Sequence, residues 1–356
     1  MSNGTTGVYV YQPPQVSLLY KHVLKPLYMR LCPYLFPRFL HPNVVTLIGF
    51  VFGLACFLLV ALTSHGLTDR NTIPFWALIG AGLCFWMYSV CDNCDGMQAR
   101  RLGLSSPVGE LVDHGVDAFV YSMTLKLLSF LFFVDDGPNP MNAYFIEAFQ
   151  YGFLMTHFSS VFHGNLILGW DYMSIDELFI LTGGLFVCEA FFPRLLLDGT
   201  SLDVRIWLVV PFLVAALVVS IKNFTAMKAS DVPAREIAFQ MYLPCVSYHI
   251  ISLSLAPYDL YWFFTFLPFF ALLVVSTALR HIKAGVLTWQ WSMYLTTVVC
   301  LISRHYLPYE QAMTLSVVCS WACFVYIANG LFTHLMVFYK LPTLFTVPVE
   351  IQKKKG

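Results

Sequence analysis

Charged residues are scarce in this sequence. Of its 356 residues, only 11% are Asp, Glu, Lys or Arg, whereas 58% are hydrophobic. A soluble domain usually carries about 25% charged residues, which cover its surface. The shortage excludes a large water-soluble domain and predicts helices surrounded by lipid. Because the formal net charge is zero, the composition gives no sign of a nucleic-acid partner.

Two further signals are missing. The N-terminal stretch MSNGTTGVYVYQPPQ lacks the order of basic, apolar and small residues that marks a secretory signal. The ten cysteines show no disulfide framework, because most of them fall inside apolar runs. Cys91 and Cys94 have CxxC spacing, but no second cysteine pair lies near them. We therefore expect neither a zinc site nor a redox role for this pair.

Long apolar runs occupy most of the chain. A helix needs roughly 20 apolar residues to cross a bilayer, and ten runs come near that length. They cover approximately residues 44–65, 74–91, 107–134, 144–168, 176–193, 204–222, 237–256, 258–279, 284–302 and 312–338. The sequence therefore predicts an all-α, polytopic membrane bundle of about ten transmembrane helices. Residues 16–40 mix apolar residues with four cations, which is typical of N-terminal amphipathic helices in the membrane interface.

The distribution of cations predicts the orientation. With both termini in the cytosol, 15 of the 20 lysines and arginines lie on that side, as the positive-inside rule requires. The chain ends in KKKG, which resembles a dilysine retrieval signal, so we expect the endoplasmic reticulum membrane or the Golgi. The alternative is a basic tail that binds anionic lipid.

Carboxylates gather in one short region despite their overall scarcity. Asp92 and Asp95 lie three residues apart at the end of the second apolar run. The next run carries four ionisable residues at positions i, i+3, i+4 and i+7, and these share one helix face. They are Glu110, Asp113, His114 and Asp117. Two antiparallel helices joined by a turn can bring this face together with Asp92 and Asp95.

Such a cluster predicts a metal site. Ionisable residues at membrane depth are functional candidates, and carboxylate-only sites suit hard divalent ions. Four aspartates suffice for two metals, which can clamp a phosphoryl group during displacement. We expect Arg100 to contact phosphate oxygens, and Gly96, Ala99 and Gly109 to leave room for a ligand. The alternative is a salt-bridged helix pair, but Arg100 and Arg101 cannot neutralise five carboxylates.

The complete pattern is Asp92-x2-Asp95-Gly96-x2-Ala99-Arg100-x8-Gly109-x3-Asp113-x3-Asp117. It resembles the signature of the CDP-alcohol phosphotransferase family at every fixed position. The resemblance implies an integral membrane enzyme that transfers a phosphoalcohol from a CDP-alcohol to an acceptor hydroxyl and releases CMP. It also implies that the four aspartates bind two divalent cations, Mg²⁺ or Mn²⁺, within a core of six transmembrane helices.

Within that family, the chain is similar to the eukaryotic choline/ethanolamine phosphotransferases. The similarity lies in GELVDHGVD, residues 109–117, and in HPNVVT, residues 41–46. It implies CDP-choline or CDP-ethanolamine as donor, diacylglycerol as acceptor and contact with membrane lipids. The products would be phosphatidylcholine or phosphatidylethanolamine, formed in the last step of the Kennedy pathway. The head group, the acyl chains, the bridging aspartate and a homodimer are left open by the sequence.

His114 is the candidate general base. Histidine titrates near pH 6.5, and two neighbouring divalent cations would disfavour its charged form, which keeps the ring available to accept a proton. Glu110, one turn earlier, can orient the imidazole by a hydrogen bond. The alternatives are Asp117 as the base, or His114 as a packing residue only. By resemblance alone, Asn43 approaches the cytidine.

These expectations divide the chain into four segments. They are a cytosolic N-terminus with interfacial helices (1–43), a six-helix catalytic core (44–222), four additional transmembrane helices (223–338) and a cytosolic basic tail (339–356). Two rival functions are a same-family enzyme with inositol or glycerol phosphate as acceptor, and a non-catalytic membrane transporter or receptor on the same scaffold.

Overall fold

The described part of the chain is mostly helical, with one short hairpin. The computed structural model describes residues 17–133, 140–163, 169–170, 173–192, 243–255, 258–281, 289–339, 341 and 344–348, with separate positions between 210 and 225. A π-helical turn (Tyr20–Leu24) leads into α1. The helices are α1 (Lys25–Leu35), α2 (Pro42–Thr63), α3 (Phe75–Leu102), α4 (Pro107–Phe133), α5 (Pro140–His163), α6 (Ile175–Phe191), α7 (Leu243–Ser254), α8 (Leu260–His281), α9 (Trp289–Tyr306) and α10 (Tyr309–Phe338), with a 3₁₀ turn at Arg70–Thr72.

The hairpin was not expected from the sequence. Strand β1 (Gly169–Trp170) pairs antiparallel with β2 (Met173–Ser174), so that Gly169 faces Ser174 and Trp170 faces Met173. It lies between α5 and α6, where the sequence predicts only a connection. The fold is therefore all-helical with one two-residue ladder added.

The helices follow the apolar runs. Nine of the ten predicted runs overlap a described helix, and the run at 204–222 lies mostly outside the described residues. Among the described helices, α2, α3 and α10 are long and apolar enough to cross a membrane. These three helices indicate a helical membrane protein. The total of ten crossings and the four predicted segments stay predictions.

Helix α3 continues beyond its apolar run. The apolar run ends at about residue 91, but α3 reaches Leu102, so the part of the acidic motif from Asp92 to Arg100 is helical. The helix ends at Gly103, whose φ of 67° is the left-handed conformation that glycine tolerates best. Ser106 then caps α4, because its Oγ accepts a 3.1 Å hydrogen bond from the Gly109 N–H. The turn between these caps connects the two helices of the motif.

Helix α2 packs against both α3 and α4. Gly49 and Gly53 form a small-xxx-small pair on α2, which is the spacing that lets membrane helices approach closely. A Cβ added at Gly49 would lie 2.9 Å from Cβ of Cys91, and one at Gly53 would lie 2.6 Å from a methyl of Val120. The two glycines therefore set how closely α2 approaches both helices of the acidic motif.

The main core continues into the later helices. Helix α8 contacts α4, α5, α7 and α10, and its phenylalanines are buried in one cluster with side chains of α2 to α5. The buried phenylalanines of α8 are Phe263, Phe266, Phe269 and Phe270. Since aromatic side chains bury large areas, α8 joins the acidic-motif helices to the C-terminal part of the chain.

The close packing at Gly53 gives a testable prediction. In Gly53→Ala the new methyl would contact both methyls of Val120, and a helical valine is confined to essentially one rotamer. We expect a loss of about 1–3 kcal/mol of stability, which is usual for overpacking, seen as a lower thermal midpoint in detergent.

Gly330→Ala in α10 is the matched control. A Cβ at Gly330 meets nothing within 4 Å, so alanine should leave the midpoint unchanged or raise it through its higher helix propensity. An unchanged midpoint in Gly53→Ala would contradict the close approach of α2 to α4.

Candidate active site

Three carboxylates converge between α3 and α4. One oxygen from each of Asp92, Asp113 and Asp117 lies within 4.8 Å of the others, and all three side chains are half-buried. Oxygens that each lie about 2.1–2.5 Å from one shared Mg²⁺ or Ca²⁺ are at most about 4–5 Å from one another. The structure thus brings together three of the four aspartates that the sequence singles out, in an arrangement that could hold a divalent cation.

Asp95 is one turn further along α3 and is 5% exposed. Its carboxyl group interacts with that of Asp113, and Oδ2 accepts a 2.5 Å hydrogen bond from Thr46 Oγ1. Thr46 belongs to the first turns of α2. The fourth aspartate therefore adjoins the other three through Asp113 and is fixed by a side chain of α2.

One carboxylate oxygen of the cluster lacks a hydrogen-bond donor among the described residues. The ion pairs of Arg70 with Glu189 and of His249 with Glu147 do not include any of the four aspartates. Oδ1 of Asp113 is shielded from water and accepts no hydrogen bond from a described residue. A buried carboxylate oxygen in that state is costly. A bound divalent cation would satisfy it, so the residues fit the metal that the sequence predicts.

Tyr88, on α3, fixes the position of the Asp117 carboxylate. Its hydroxyl donates a 2.8 Å hydrogen bond to Asp117 Oδ1, and the residue is only 2% exposed. The ring packs against Phe85 and Phe179, with centroids 5.8 and 5.5 Å away. Sequence reasoning missed both Tyr88 and Thr46. Tyr88 precedes Asp92 by one helical turn, and Thr46 ends the HPNVVT stretch. These positions were the signals in the sequence that could have identified the two residues as part of the site.

The HPNVVT stretch starts α2. His41 is the N-cap, and its Nδ1 accepts a 3.2 Å hydrogen bond from the Asn43 N–H. Burial lowers the pKa of His41, which keeps its ring neutral at pH 7 and able to accept that bond. Pro42 occupies the first helical position, where its missing N–H costs nothing. The stretch therefore places Asn43 and Thr46 beside the acidic helices.

His114 lies next to a second histidine. It is 9% exposed, and its ring meets that of His157 on α5 edge to face, with centroids 4.9 Å apart. Nδ1 of His157 is 2.9 Å from the carbonyl oxygen of Phe153. Because a carbonyl only accepts, we assign the proton of the neutral His157 ring to Nδ1. His157, 3% exposed, was not singled out from the sequence because it stands alone in an apolar run.

The remaining predicted residues lie around the C-terminal end of α3. Glu110 and Ala99 are half-buried, and Glu110 is one turn before His114. Nη1 of Arg100 folds back to 3.2 Å from the place of a Cβ on Gly96. The Arg100 guanidinium therefore lies directly beside Gly96, and the expected role of Gly96 at a ligand stays a prediction. Arg101 instead donates a 3.3 Å hydrogen bond to the carbonyl of Phe36.

Asn43 and Gly109 are neighbours. Asn43 Oδ1 is 3.3 Å from the place of a Cβ on Gly109, so a side chain there would press on the amide. Asn43 Nδ2 donates a 2.8 Å hydrogen bond to the carbonyl of Leu344. The structure thus joins the two positions expected at the nucleotide, and adds a contact from the C-terminal segment.

Comparison with known proteins agrees with this geometry. Residues 39–162 match the family described as CDP-alcohol phosphatidyltransferase. This segment belongs to the CDP-alcohol phosphatidyltransferase family. It contains α2, α3, α4 and nearly all of α5, and with them every aspartate of the cluster, Asn43, His114 and His157. The family description is that of an enzyme, and the phosphatidyltransferase segment coincides with the candidate site.

The relatives carry related names. The chain is 38% identical over 122 residues to Choline/ethanolaminephosphotransferase 1 of Saccharomyces cerevisiae, covering 34% of this chain and 30% of the yeast protein. It is 43% identical over 102 residues to Choline/ethanolaminephosphotransferase 2 of Arabidopsis thaliana, covering 29% and 25%. It is 24% identical over 252 residues to Ethanolaminephosphotransferase 1 of Mus musculus, covering 67% and 62%. The first two matches thus span a quarter to a third of the relatives' length.

The contact of Tyr88 with Asp117 gives a second prediction. In Tyr88→Phe, Asp117 loses its 2.8 Å donor but the ring stays in place. Loss of such a supporting hydrogen bond typically weakens metal binding about 10- to 100-fold. We expect that loss in Mn²⁺ affinity, measured by isothermal titration calorimetry on the purified protein.

Tyr121→Phe is the matched control. Tyr121 on α4 donates a 3.0 Å hydrogen bond to the carbonyl of Phe149, so its replacement removes a similar bond without touching an aspartate. Equal Mn²⁺ affinity in both variants and the unmodified protein would contradict the supporting role of Tyr88.

Proposed function

We propose that this chain transfers phosphocholine or phosphoethanolamine from a CDP-alcohol to diacylglycerol and releases CMP. The observation that carries the proposal is the four-aspartate cluster, which lies inside the phosphatidyltransferase segment and has a buried oxygen that a cation would satisfy. The names of the yeast and Arabidopsis relatives support choline or ethanolamine as the head group.

The aspartates are the residues that would hold metal. Asp92, Asp113 and Asp117 supply converging oxygens, and Asp95 adjoins them through Asp113. Two bound Mg²⁺ or Mn²⁺ ions would neutralise the diphosphate and stabilise the charge that develops on the departing CMP. Thr46 and Tyr88 hold two of the carboxylates in place by hydrogen bonds.

His114 is the proposed general base. It accepts the proton of the diacylglycerol hydroxyl while that oxygen attacks the β-phosphorus of the donor, and the bond from phosphorus to the CMP oxygen breaks. Glu110, one turn earlier on α4, orients the His114 ring. Arg100, exposed at the end of α3, contacts phosphate oxygens. His157 lies against His114 and restricts where its ring can turn.

The site has one polar and one apolar approach. The exposed Arg100 lies at the end of α3 that the cation distribution assigns to the cytosol, where a nucleotide donor is found. Diacylglycerol reaches the site from the bilayer around α2 and α3. We propose the endoplasmic reticulum or Golgi membrane, with both termini and the site facing the cytosol, six core helices within residues 44–222 and four further helices within 223–338.

The rival functions fit the observations less well. A same-family enzyme acting on inositol or glycerol phosphate shares the aspartates, but the relatives named above point to choline and ethanolamine. A transporter or receptor would not need four clustered carboxylates with a buried orphan oxygen.

The reaction itself is the third prediction. Purified protein with diacylglycerol, Mg²⁺ and either CDP-choline or CDP-ethanolamine should release CMP, and chelation by EDTA should stop the release until Mg²⁺ is restored. Asp113→Asn should lower turnover at least about 100-fold, because removing a group that stabilises transition-state charge typically has that effect.

Comparison of CDP-choline with CDP-ethanolamine identifies the head group, because CMP release with only one of them shows which head group is transferred. CMP release with inositol or glycerol phosphate as acceptor, and not with diacylglycerol, would contradict the proposed acceptor. If no donor and acceptor pair gives Mg²⁺-dependent release of CMP, the proposed enzymatic activity is contradicted.

The base is the fourth prediction. General bases typically contribute about 10²- to 10⁴-fold to rate, so His114→Ala should lower kcat by that range while the affinity for CMP stays within about twofold. His334→Ala, at an exposed position of α10, is the control and should leave kcat unchanged. Near-normal kcat in His114→Ala would favour Asp117 as the base.

A further inference from the structure

The C-terminal segment returns to the start of the phosphatidyltransferase segment. Thr346 forms an isolated antiparallel bridge with Leu40, just before α2. Two residues earlier, the carbonyl of Leu344 accepts the 2.8 Å hydrogen bond from Asn43 Nδ2, across 301 residues of chain. Val347 is 4% exposed. The C-terminal segment, meaning Leu341 and residues 344–348, is therefore held by backbone and side-chain contacts at once.

Apolar packing holds the same segment against α4. Leu341 and Leu344 pack on a small buried cluster formed by α4, α8 and α10. The α4 members are Val108 and Leu111, which flank Gly109 and Glu110. Since both flanking residues are almost fully buried, the C-terminal segment covers the turn of α4 that carries these two predicted site residues.

Tyr339, at the end of α10, approaches the same turn. Burial and the neighbouring Glu110 carboxylate raise the pKa of the Tyr339 hydroxyl, which therefore stays protonated at neutral pH. The C-terminal part of the chain thus reaches both Asn43 and Glu110, which belong to opposite sides of the α2–α4 contact.

The hydrogen bond to Leu344 fixes the Asn43 amide. A side-chain amide has a donor end and an acceptor end that can exchange by a half-turn. With Nδ2 committed to the Leu344 carbonyl, Oδ1 lies beside Gly109, 3.3 Å from the place of a Cβ there. Residues 341–349 contain no charged side chain, so this surface suits a nucleoside better than a diphosphate.

We propose that Leu341 and residues 344–348 form one wall of the nucleotide site and position Asn43 for the cytidine of the donor. The inference rests on the proposed function, because it assumes a cytidine nucleotide as ligand. Asn43 is the residue that touches the nucleotide, and Leu344 acts through it as a positioning residue. The wall comes from the chain end that lies outside the phosphatidyltransferase segment 39–162.

Two truncations of the full chain test the wall. Deletion of residues 341–356 removes the segment, whereas deletion of residues 350–356 removes the three terminal lysines and keeps Leu344 and Thr346. The probe is CMP, the product shared by every CDP-alcohol donor, bound to purified protein with Mg²⁺ and measured by isothermal titration calorimetry. The KM values for donor and for diacylglycerol are measured beside it.

The longer deletion should weaken CMP binding about fivefold to tenfold, which corresponds to the loss of one positioned hydrogen bond. The donor KM should rise by the same factor, while the diacylglycerol KM stays within about twofold. The shorter deletion should change neither value. In Asn43→Ala, the longer deletion should add less than a further twofold, because both changes remove the same contact.

A point variant keeps the test decisive if the longer truncation fails to fold. Thr346→Pro removes the backbone N–H of the residue that pairs with Leu40, whereas Thr346→Val keeps that N–H and a β-branched side chain. Weaker CMP binding in the proline variant alone supports the wall. Unchanged CMP affinity in both the proline variant and a folded truncation overturns it.

The outcomes separate this inference from the proposed function. If the unmodified protein binds CMP and turns over donor, but neither variant changes CMP affinity, only the wall is wrong. If the unmodified protein binds no CMP in the presence of Mg²⁺, the proposed function and the wall fall together.

Discussion

Mutual repulsion among buried carboxylates is the constraint on which this fold depends. The chain carries few charges, yet it places four aspartates where water is limited and where like charges interact strongly. The surrounding structure offsets part of that cost with the hydroxyls of Thr46 and Tyr88. One oxygen of Asp113 has no donor among the residues that the structure describes. A protein keeps such an arrangement when a cation completes it, so the polar contacts and the metal site follow from one requirement.

Close helix packing brings the supporting hydroxyl of Thr46 to the carboxylates. Thr46 can reach Asp95 only because α2 lies almost in contact with α3, and the glycines at 49 and 53 permit that approach. Since α2 also packs on α4, it aligns the two helices that carry the aspartates. The lipid-facing residues of α2, such as Val51 and Leu62, are exposed, so one helix serves the membrane on one face and the site on the other.

The sequence predicts the periodic features of this arrangement and misses those that depend on tertiary contact. Helical spacing within the motif was enough to place Asp113 and Asp117 on one face, and apolar length was enough to locate the helices. The apolar run stops before α3 does, because a hydropathy pattern ends where charge begins, whereas a helix ends where a residue such as Gly103 can turn. His157 and Leu344 could not be found this way. Each reaches the site from a distant part of the chain, and neither belongs to a local pattern.

Burial varies along the site in a way that suits two substrates of opposite polarity. Arg100 is exposed, whereas Asp95, His114 and His157 are all buried. Under the proposed function, the charged diphosphate meets the rim and the hydroxyl of a lipid meets the buried histidine. A base that lies among helices, away from bulk water, favours the lipid hydroxyl over water as the attacking group. The same burial that makes the aspartates costly thus helps to select transfer over hydrolysis.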